Sequence, residues 1–472
     1  MIRWGILGAG KIAHRFCASL QKLPDCTLQA IAGRNKEKME AFQKQFPCQS
    51  VYTDFNALIE DDNVDAIYLA LPHAMHAEWA VKALQNHKAV LSEKPAVLNT
   101  QEMKDIAKAA RENHVLYMEG MKTRMEPANR KLKEEIDKIG KIQKIETSIF
   151  FELPKEMIGK SYLTSGKGSG CLLDSGCYCT QWAEDFLMGT PVVKKTYANV
   201  YNGIDFYVKS LLQFDNAEFV IENGIDRSGE ARAVIHGEKG TVTVTPVHRP
   251  ESFTIKTADG EETISVPYEY DDFYGEIRHF CDLLNHHETE SPIMSLDDSI
   301  RNAEILDAVR SSFTEYDEKD LKTLEEQEKT FAMSSFTSKD ALAIGNAMVS
   351  LLPEYDRGIV VQIIRESDQN VIFQYITDDK TEKNIMYTTG KHACISQFGH
   401  SSAWVFVLGK LKPLSEGTAA SGGAFPIFNQ EGKLIASILV SGLHEGKDHE
   451  LILRALKKVY HKDYPDLIKA LG

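Results

Sequence analysis

Several features that mark specialised classes of protein are missing from this sequence. It contains no run of about 18 apolar residues, so no segment is predicted to cross a membrane. Lys and Arg total 54 against 68 Asp and Glu, and the net charge of −14 argues against a nucleic-acid partner. Eight cysteines occur in 472 residues and none has CxxC spacing, so we expect reduced thiols, with neither a disulfide framework nor a metal site.

The N-terminus lacks the apolar segment and cleavage site of a signal peptide, because Met1–Ala9 has the pattern of a strand that enters a turn. With reduced thiols, this predicts a cytoplasmic protein. Hydrophobic residues make up 43% and charged residues 26%, the balance of a globular chain. At about 100–200 residues per domain, 472 residues predict two to four domains.

Short apolar runs alternate with helical patterns over residues 1–120, which predicts βαβ units and a parallel sheet. The predicted strands are Ile2–Leu7, Thr27–Ala32, Ala66–Leu71, Ala89–Leu91 and Val115–Met118. The predicted helices are Ile12–Gln21, Lys36–Gln45, His76–Asn86 and Thr100–Asn113. We therefore expect an α/β fold with a Rossmann domain at the N-terminus.

The rest of the chain divides into three parts. Residues 121–315 carry helices and a series of alternating strands, which predicts an α+β domain on an open-faced, mostly antiparallel sheet. Residues 316–330 are charged and predict a linker or a solvated helix. Residues 331–472 begin and end with helix and strand patterns, which predicts a small C-terminal α/β domain.

A glycine-rich turn follows the first predicted strand. Its residues are Gly8, Ala9, Gly10, Lys11, Ile12 and Ala13. This is the G-x-G-x-x-A pattern in the strand–turn–helix context of a dinucleotide site. The first glycine permits the turn, the second lets backbone approach a pyrophosphate, and Ala13 allows close packing of the helix on the strand.

The end of the second predicted strand bears on the choice between NAD and NADP. An NAD enzyme usually carries an acid about 20 residues after the glycines. Here Gly33, Arg34 and Asn35 follow the strand, without an acid, and Lys38 lies one turn later. Since a guanidinium suits a 2′-phosphate, the sequence predicts NADP, with NAD possible. A surface arginine without a ligand is the alternative.

The predicted strand Ala89–Leu91 is followed by the segment Ser92-Glu93-Lys94-Pro95, which contains a lysine. A side chain there faces the crevice in which a nicotinamide lies. Asp174 and Tyr178 lie four residues apart in a later predicted helix and share a face. A neighbouring ammonium lowers a tyrosine pKa from about 10, so we expect Lys94 to prepare Tyr178 for proton exchange during hydride transfer.

These motifs together resemble the Gfo/Idh/MocA oxidoreductase family over roughly residues 1–315. The resemblance rests on Glu93-Lys94-Pro95 and on Gly-x-Leu-x-Asp-x-Gly-x-Tyr, which is Gly170–Tyr178 here. The tyrosine is most similar to the dihydrodiol dehydrogenase branch, since many other members carry histidine. The resemblance implies that Lys94 and Tyr178 form the catalytic pair and that Asp174 supports them.

The same resemblance implies further cofactor contacts. They are Leu71, Pro72, His73 and His76 in the loop after the third predicted strand, together with Glu93 and Lys94. The family usually carries asparagine where this chain has His73. Ordinary loop polarity is the alternative for the two histidines.

Lys122 replaces a tryptophan of the dihydrodiol enzymes, which argues against an aromatic dihydrodiol as the substrate. Lys122 and Arg124 suit a polar sugar, an inositol or a hydroxy-carbonyl compound, because cations bind hydroxyls or carboxylates. Solvated surface cations are the alternative for both residues.

The C-terminal region resembles the UPF0303 family and the related haem-degrading, HbpS-like domains. Its motifs are Gln397–Ser402, Ser421–Ile427 and the Val440–Leu443 segment with His449. Histidines His400 and His449 are candidate metal or haem ligands, with buried structural histidines as the alternative. We expect a ligand-binding or oligomerisation module.

The sequence as a whole predicts an oxidoreductase that transfers a hydride between NADP(H) and a secondary alcohol or carbonyl of a sugar-, polyol- or diol-like molecule. A nicotinamide-responsive sensor and a haem-associated binding protein are the alternatives from other classes. The resembling family also implies a homo-oligomer, a dimer or larger.

Overall fold

The computed structural model describes residues 1–201, 203–411, 421–443, 446–467, 469 and 471. The chain forms two compact units. The first unit comprises residues 1–199 and 204–313, and the second comprises residues 200–203 and 314–472. In the described part of the chain, no helix is both long and apolar enough to cross a membrane.

The first sheet has six parallel strands in the order β3-β2-β1-β4-β5-β6. Strands β1 to β6 are Ile2–Leu7, Cys26–Ala32, Ser50–Tyr52, Ala66–Leu69, Ala89–Ser92 and Tyr117–Glu119. Helices α1 to α5 are Lys11–Leu20, Lys36–Gln45, Phe55–Ile59, His76–Gln85 and Thr100–Asn113. Because strand order reverses between β1 and β4, a crevice opens at the carboxyl ends of these two strands, where such sheets bind dinucleotides.

The second sheet has eight strands in the order β14-β13-β12-β11-β7-β10-β9-β8. Strands β7 to β14 are Ile142–Phe150, Val192–Tyr201, Ile204–Gln213, Glu218–Gly224, Arg232–Gly237, Gly240–Val244, Ser252–Thr257 and Gly260–Ser265. Only the β7–β10 pair is parallel among the described pairs. Alternate residues of β7 are buried, because one face of the sheet packs on helices.

Four helices complete the first unit: α6 to α9 are Pro127–Glu135, Cys177–Phe186, Tyr274–Asn285 and Leu296–Ser311. A π-helical turn, Leu172–Gly176, runs directly into α7. Helix α9 begins with a capping box in which Ser295 and Asp298 satisfy each other's backbone amides. The predicted helix around Asp174 and Tyr178 is thus present, but its first turn is wider than an α-helix.

The second unit is built on a four-stranded antiparallel sheet in the order β16-β15-β18-β17. Strands β15 to β18 are Val360–Arg365, Asn370–Ile376, Ala424–Phe428 and Leu434–Ser441. Helices α10 to α14 are Glu318–Thr330, Ser338–Leu351, Glu382–Phe398, Ser402–Leu411 and Lys447–Tyr460. Its core is formed by apolar residues of α11, α14 and the sheet, such as Ile344, Ile438 and Leu451.

The α/β fold class, with its parallel sheet and its mixed sheet, is confirmed. The charged segment that predicted a linker or solvated helix is α10, and one face of it, including Leu324 and Glu328, is buried in the second unit. In the first unit, two strands escaped prediction. Strand β3 has only three residues, and β14 is polar and largely exposed at a sheet edge, so neither has an apolar run.

Candidate active site

The turn after β1 has the geometry that a pyrophosphate needs. Gly8 has φ of 101°, and a Cβ there would collide with the Ala70 carbonyl. A Cβ at Gly10 would meet nothing within 4 Å, so backbone is open to a ligand there. Gly10 is the N-cap of α1, and Ala13 is fully buried against the sheet. The exposed Lys11 and half-buried Ile12 form the first turn of α1.

The segment after β2 presents a cation to solvent. Gly33 is buried, whereas Arg34 is exposed. The Asn35 side chain caps α2 by accepting a hydrogen bond from the Lys38 amide at 2.9 Å. Asn35 thus has a local capping role, and the Arg34 guanidinium is left exposed at the carboxyl end of β2.

The loop after β4 is held by its histidines. His76 is fully buried, and its two ring nitrogens lie 2.8 Å from the Pro95 carbonyl oxygen and 2.7 Å from that of Leu71. His76 therefore connects the Leu71–Pro72 loop to the Lys94–Pro95 segment. His73 Nδ1 lies 3.0 Å from the Gly168 carbonyl oxygen, and burial lowers the pKa of His73 to about 4 despite the opposing charge of Asp174.

Lys94 lies just beyond β5 and points at the start of α7. Its Nζ donates to the carbonyl oxygen of Asp174 at 2.6 Å and to Asp174 Oδ1 at 3.2 Å. The same Nζ lies 5.0 Å from the centre of the Tyr178 ring. The structure thus brings Lys94 together with Asp174, which lies 80 residues later in the chain, and with Tyr178.

Asp174 is also bound from a loop that the sequence did not single out. Tyr162 donates a hydrogen bond from its hydroxyl to Asp174 Oδ1 at 3.1 Å, and His73 Nε2 lies 3.9 Å from the same oxygen. The π-helical turn places Asp174 where these three groups meet. Its position is therefore determined by Lys94, Tyr162 and His73 together.

The ion pair perturbs both partners. Although burial opposes ionisation, the charge of Lys94 lowers the pKa of Asp174, and the charge of Asp174 raises that of Lys94. Both groups are therefore charged at neutral pH. The carboxylate holds the ammonium beside the tyrosine ring.

The expected lowering of the Tyr178 pKa is wrong for this structure. Burial raises the pKa well above 10, and the nearby ammonium of Lys94 only partly offsets it. The side chain is 8% exposed. Among the described residues, the Tyr178 hydroxyl has no hydrogen-bonding partner, which leaves this protonated phenol available to a substrate oxygen.

Buried carboxylic acids also act electrostatically on the tyrosine, among them Glu93 and Glu276. Glu93 accepts a hydrogen bond from the Tyr68 hydroxyl. Glu276 is 1% exposed, its Oε2 is unpartnered, and burial together with the charge of Glu93 raises its pKa. Burial and the neighbouring Asp272 raise the pKa of Glu126 to about 9. Burial therefore favours the protonated form of Glu276 and Glu126.

The two predicted substrate-binding cations both have carboxylate partners. Lys122 Nζ lies 2.5 Å from Asp272 Oδ2, and both side chains are buried. Arg124 lies 2.9–3.1 Å from three carboxylates, and it also donates to the Ile293 carbonyl. Those carboxylates belong to Glu184, Asp185 and Asp298. Neither residue is a solvated surface cation, and Arg124 contacts a different set of residues from Lys94.

One residue near the tyrosine was missed by the sequence analysis. The His248 ring lies 5.7 Å from the Tyr178 ring, centre to centre, on the loop between β12 and β13. Its only sequence signal is its place between Pro246 and Pro250, which predicts a constrained loop. No periodicity or spacing connects that loop to α7, so only the tertiary structure could find it.

In the second unit, both candidate histidines have protein partners. His400 Nδ1 lies 2.8 Å from Glu328 Oε2, and its ring stacks on Trp404. His449 is 2% exposed and its Nε2 lies 2.9 Å from Gln327 Oε1. Both partners, Gln327 and Glu328, come from α10. The described residues contain no cluster of His, Cys, Asp or Glu with the arrangement of a metal site.

Known families match three stretches of the chain. Residues 2–121 match the oxidoreductase family with an NAD-binding Rossmann fold, and residues 129–243 match the Gfo/Idh/MocA C-terminal domain. Residues 336–457 match the haem-degrading HbpS-like family. The N-terminal and C-terminal resemblances inferred from the sequence motifs are thus confirmed.

Relatives cover the first two thirds of the chain. A scyllo-inositol 2-dehydrogenase (NADP(+)) of Bacillus subtilis is 31% identical over 319 residues, which are 66% of this chain and 96% of the relative. A trans-1,2-dihydrobenzene-1,2-diol dehydrogenase of Xenopus tropicalis is 28% identical over 65% of this chain and 96% of its own. A solved 3-ketoreductase of Actinomadura kijaniata, in complex with NADP and TDP-benzene, has a TM-score of 0.60 and 27% identity, and covers 66% of this chain and 97% of its own.

Proposed function

Since the chain belongs to the Gfo/Idh/MocA family of oxidoreductases, we propose that it transfers a hydride between NADP(H) and a secondary alcohol or carbonyl of a sugar- or polyol-like molecule. The observation that carries the proposal is the contact of Lys94 with both Asp174 and the Tyr178 ring at the carboxyl end of β5. Groups able to transfer a proton would then lie at the edge of the sheet where a dinucleotide binds.

The residues that follow β1 and β2 fit the proposed cofactor. Open backbone at Gly10 and the N-terminus of α1 would hold the pyrophosphate. The exposed Arg34 would bind a 2′-phosphate, which NAD lacks. When bound, the nicotinamide supplies the hydride acceptor or donor. The Bacillus subtilis relative, which is named for NADP(+), and the ketoreductase crystallised with NADP support the same choice.

Tyr178 is proposed as the acid and base. Its high pKa keeps the phenol protonated, so it suits donation of a proton to a carbonyl oxygen as that oxygen gains negative charge during reduction. Donation leaves a tyrosinate, which the Lys94 ammonium stabilises while Asp174 holds Lys94 in place. In the oxidative direction this tyrosinate takes the proton of the substrate hydroxyl and returns to the phenol.

The experiment is an assay of NADP reduction by the full-length protein with scyllo-inositol, glucose and a trans-dihydrodiol. The assay is accompanied by measurement of the dissociation constants of NADP and NAD. Tyr178→Phe keeps the ring and removes the hydroxyl. It should lower kcat by about 10²–10⁴ through loss of acid–base catalysis, while NADP binding stays unchanged.

Each arm of this experiment has an outcome that would overturn one part of the proposal. Full activity of Tyr178→Phe would remove the tyrosine from the mechanism. Equal dissociation constants for NADP and NAD would remove the proposed role of Arg34. Tight NADP binding without turnover of any alcohol would favour the nicotinamide-responsive sensor.

A further inference from the structure

The imidazole of His248 lies beside Tyr178 without any hydrogen-bonding partner of its own. Its Nδ1 is buried and unpartnered, and no described residue bonds either ring nitrogen. Buried polar atoms in proteins nearly always have partners. An unpaired imidazole next to the proposed acid–base residue is therefore a candidate hydrogen-bonding partner for a substrate.

The backbone around His248 is anchored without help from the ring. Thr123 donates from Oγ1 to the His248 carbonyl oxygen at 3.3 Å, and the Val247 amide donates to the Ala231 carbonyl at 3.0 Å. Tyr268 donates from its hydroxyl to the Arg249 carbonyl at 2.6 Å. The loop thus has its own hydrogen bonds, and the imidazole is not needed to hold it in place.

The imidazole is neutral at physiological pH. Burial, with the nearby cations Arg249, Lys122 and Lys94, lowers the pKa of His248 to about 4 against the opposing effect of Asp272. A neutral ring has one nitrogen that donates and one that accepts. That combination matches an alcohol hydroxyl, which also donates and accepts.

The two lysines near the tyrosine leave no free charge for a substrate anion. The Lys94 ammonium is paired with Asp174, and the Lys122 ammonium is paired with Asp272. The third cation near His248, Arg249, is exposed to solvent. Hydroxyl groups are the polar groups that this surface can bind without displacing an ion pair.

We propose that His248 binds the hydroxyl adjacent to the reacting carbon of an uncharged polyol, and thereby selects vicinal diols over simple alcohols. This inference rests on the proposed function, in which Tyr178 serves the reacting oxygen. Because the two rings are neighbours, two adjacent oxygens of one substrate can be bound at the same time, one by each ring.

The test compares two pairs of alcohols that differ by one neighbouring hydroxyl: trans-cyclohexane-1,2-diol with cyclohexanol, and glucose with 2-deoxyglucose. The full-length protein and His248→Phe, which keeps an aromatic ring beside Tyr178, are assayed with saturating NADP. The variant should lose about tenfold in kcat/KM for the diol or glucose, mainly through KM, since one hydrogen bond is removed. Its kcat/KM for the partner lacking the hydroxyl should stay within about twofold.

Two further variants separate a binding role from a structural one. His248→Asn and His248→Gln place an amide near Nδ1 and Nε2 respectively, and one of them should recover part of the preference for the diol. His236→Phe is the matched control, because His236 is a part-exposed histidine on β11 that pairs with Glu146. It should leave all four values unchanged.

The possible failures are distinguishable. If the unaltered protein oxidises none of the four alcohols and neither scyllo-inositol nor the trans-dihydrodiol, the proposed function falls and this inference falls with it. If it is active and His248→Phe loses activity equally towards both members of a pair, or loses none, the proposed function stands and the role of His248 is overturned. A lowered melting temperature with no change in the preference for the diol overturns it as well.

Discussion

At the scale of single residues, burial favours the neutral form of each group in this site unless the group has a partner of opposite charge. Tyr178 has a lysine beside it, yet its pKa rises because the ring lies away from water. Lys94 and Asp174 keep their charges only because they lie in contact with each other. A charge in this crevice therefore needs a partner, and a group without one is neutral.

The effect of burial on Glu126 can be tested through the pH dependence of the protein's stability. Its carboxyl is 4% exposed, and burial raises its pKa to about 9, whereas an unfolded glutamate titrates near 4.3. Between these values the folded protein binds one more proton than the unfolded chain, so this group's stabilising contribution is present below about pH 4 and is lost as the pH rises towards 9. Glu126→Gln removes that dependence. We compare the free energy of unfolding of the variant with that of the unaltered protein. The difference, variant minus unaltered protein, should be about 2–4 kcal/mol larger at pH 8 than at pH 5, so that the variant is relatively more stable at pH 8.

The measurement is urea unfolding at the two pH values, followed by tryptophan fluorescence. Three of the four tryptophans, Trp4, Trp79 and Trp182, lie in the same unit as Glu126, so the signal follows that unit. The same stability difference at both pH values would mean that Glu126 is ionised in the folded protein.

At the scale of elements, the two glycines of the turn between β1 and α1 have different roles, one in the fold and one in ligand binding. Gly8 is required by the fold, because its φ is positive and the Ala70 carbonyl leaves no room for a Cβ. Gly10 has φ of −80° and open space around it, so the fold would accept a side chain there. The open space is where a pyrophosphate would approach the backbone.

Alanine substitutions at the two glycines should therefore affect different properties, stability in one case and NADP binding in the other. Gly8→Ala should destabilise the protein by about 2 kcal/mol or more, through backbone strain and collision with Ala70. Gly10→Ala should leave the melting temperature unchanged and weaken NADP binding about tenfold or more, because its methyl group enters the cofactor's space. Differential scanning fluorimetry and titration with NADP measure the two effects. Equal loss of stability in both variants would contradict this division.

Elements with a clear apolar period were predictable, and those without one were not. The central strands β4 and β5 have apolar runs, and so does β1 apart from Arg3, because both faces of these strands are covered. The short β3 and the polar edge strand β14 carry no such pattern. The π-helical turn before α7 was also hidden, since its i→i+5 geometry depends on the contacts that hold Asp174.

At the scale of the whole molecule, the two units have separate cores and separate relatives. The second unit contains a buried lysine of its own. Lys391 donates to the carbonyls of Gly422 and Val440 at 2.7 and 3.0 Å, and to Asp448 Oδ2 at 2.7 Å. The Asp448 carboxylate also accepts from the Leu443 amide at 2.9 Å.

Removing this lysine should affect one unit only. Lys391→Met leaves the Asp448 carboxylate buried without its cation, which should cost about 3–5 kcal/mol in the second unit. The proposed oxidoreductase activity, which we assign to residues of the first unit, should stay unchanged. Calorimetry should show one transition at lower temperature and the other unmoved.

Adding Asp448→Asn to Lys391→Met supplies the control, because it removes the orphaned charge and should restore part of the lost stability. Loss of oxidoreductase activity in parallel with the second unit would contradict the independence of the two units. The expected homo-oligomer and the ligand of the HbpS-like unit stay predictions from the sequence.

The order of the domains, the glycine turn and the candidate residues Lys94, Asp174 and Tyr178 could be predicted from the amino-acid sequence, because each has a local pattern of a few residues. The folded structure was needed to show that His248 lies beside Tyr178 and that Arg124 is surrounded by three carboxylates. It also decided the protonation of the site. Long-range contacts and burial depend on how distant segments pack, and no local pattern records them.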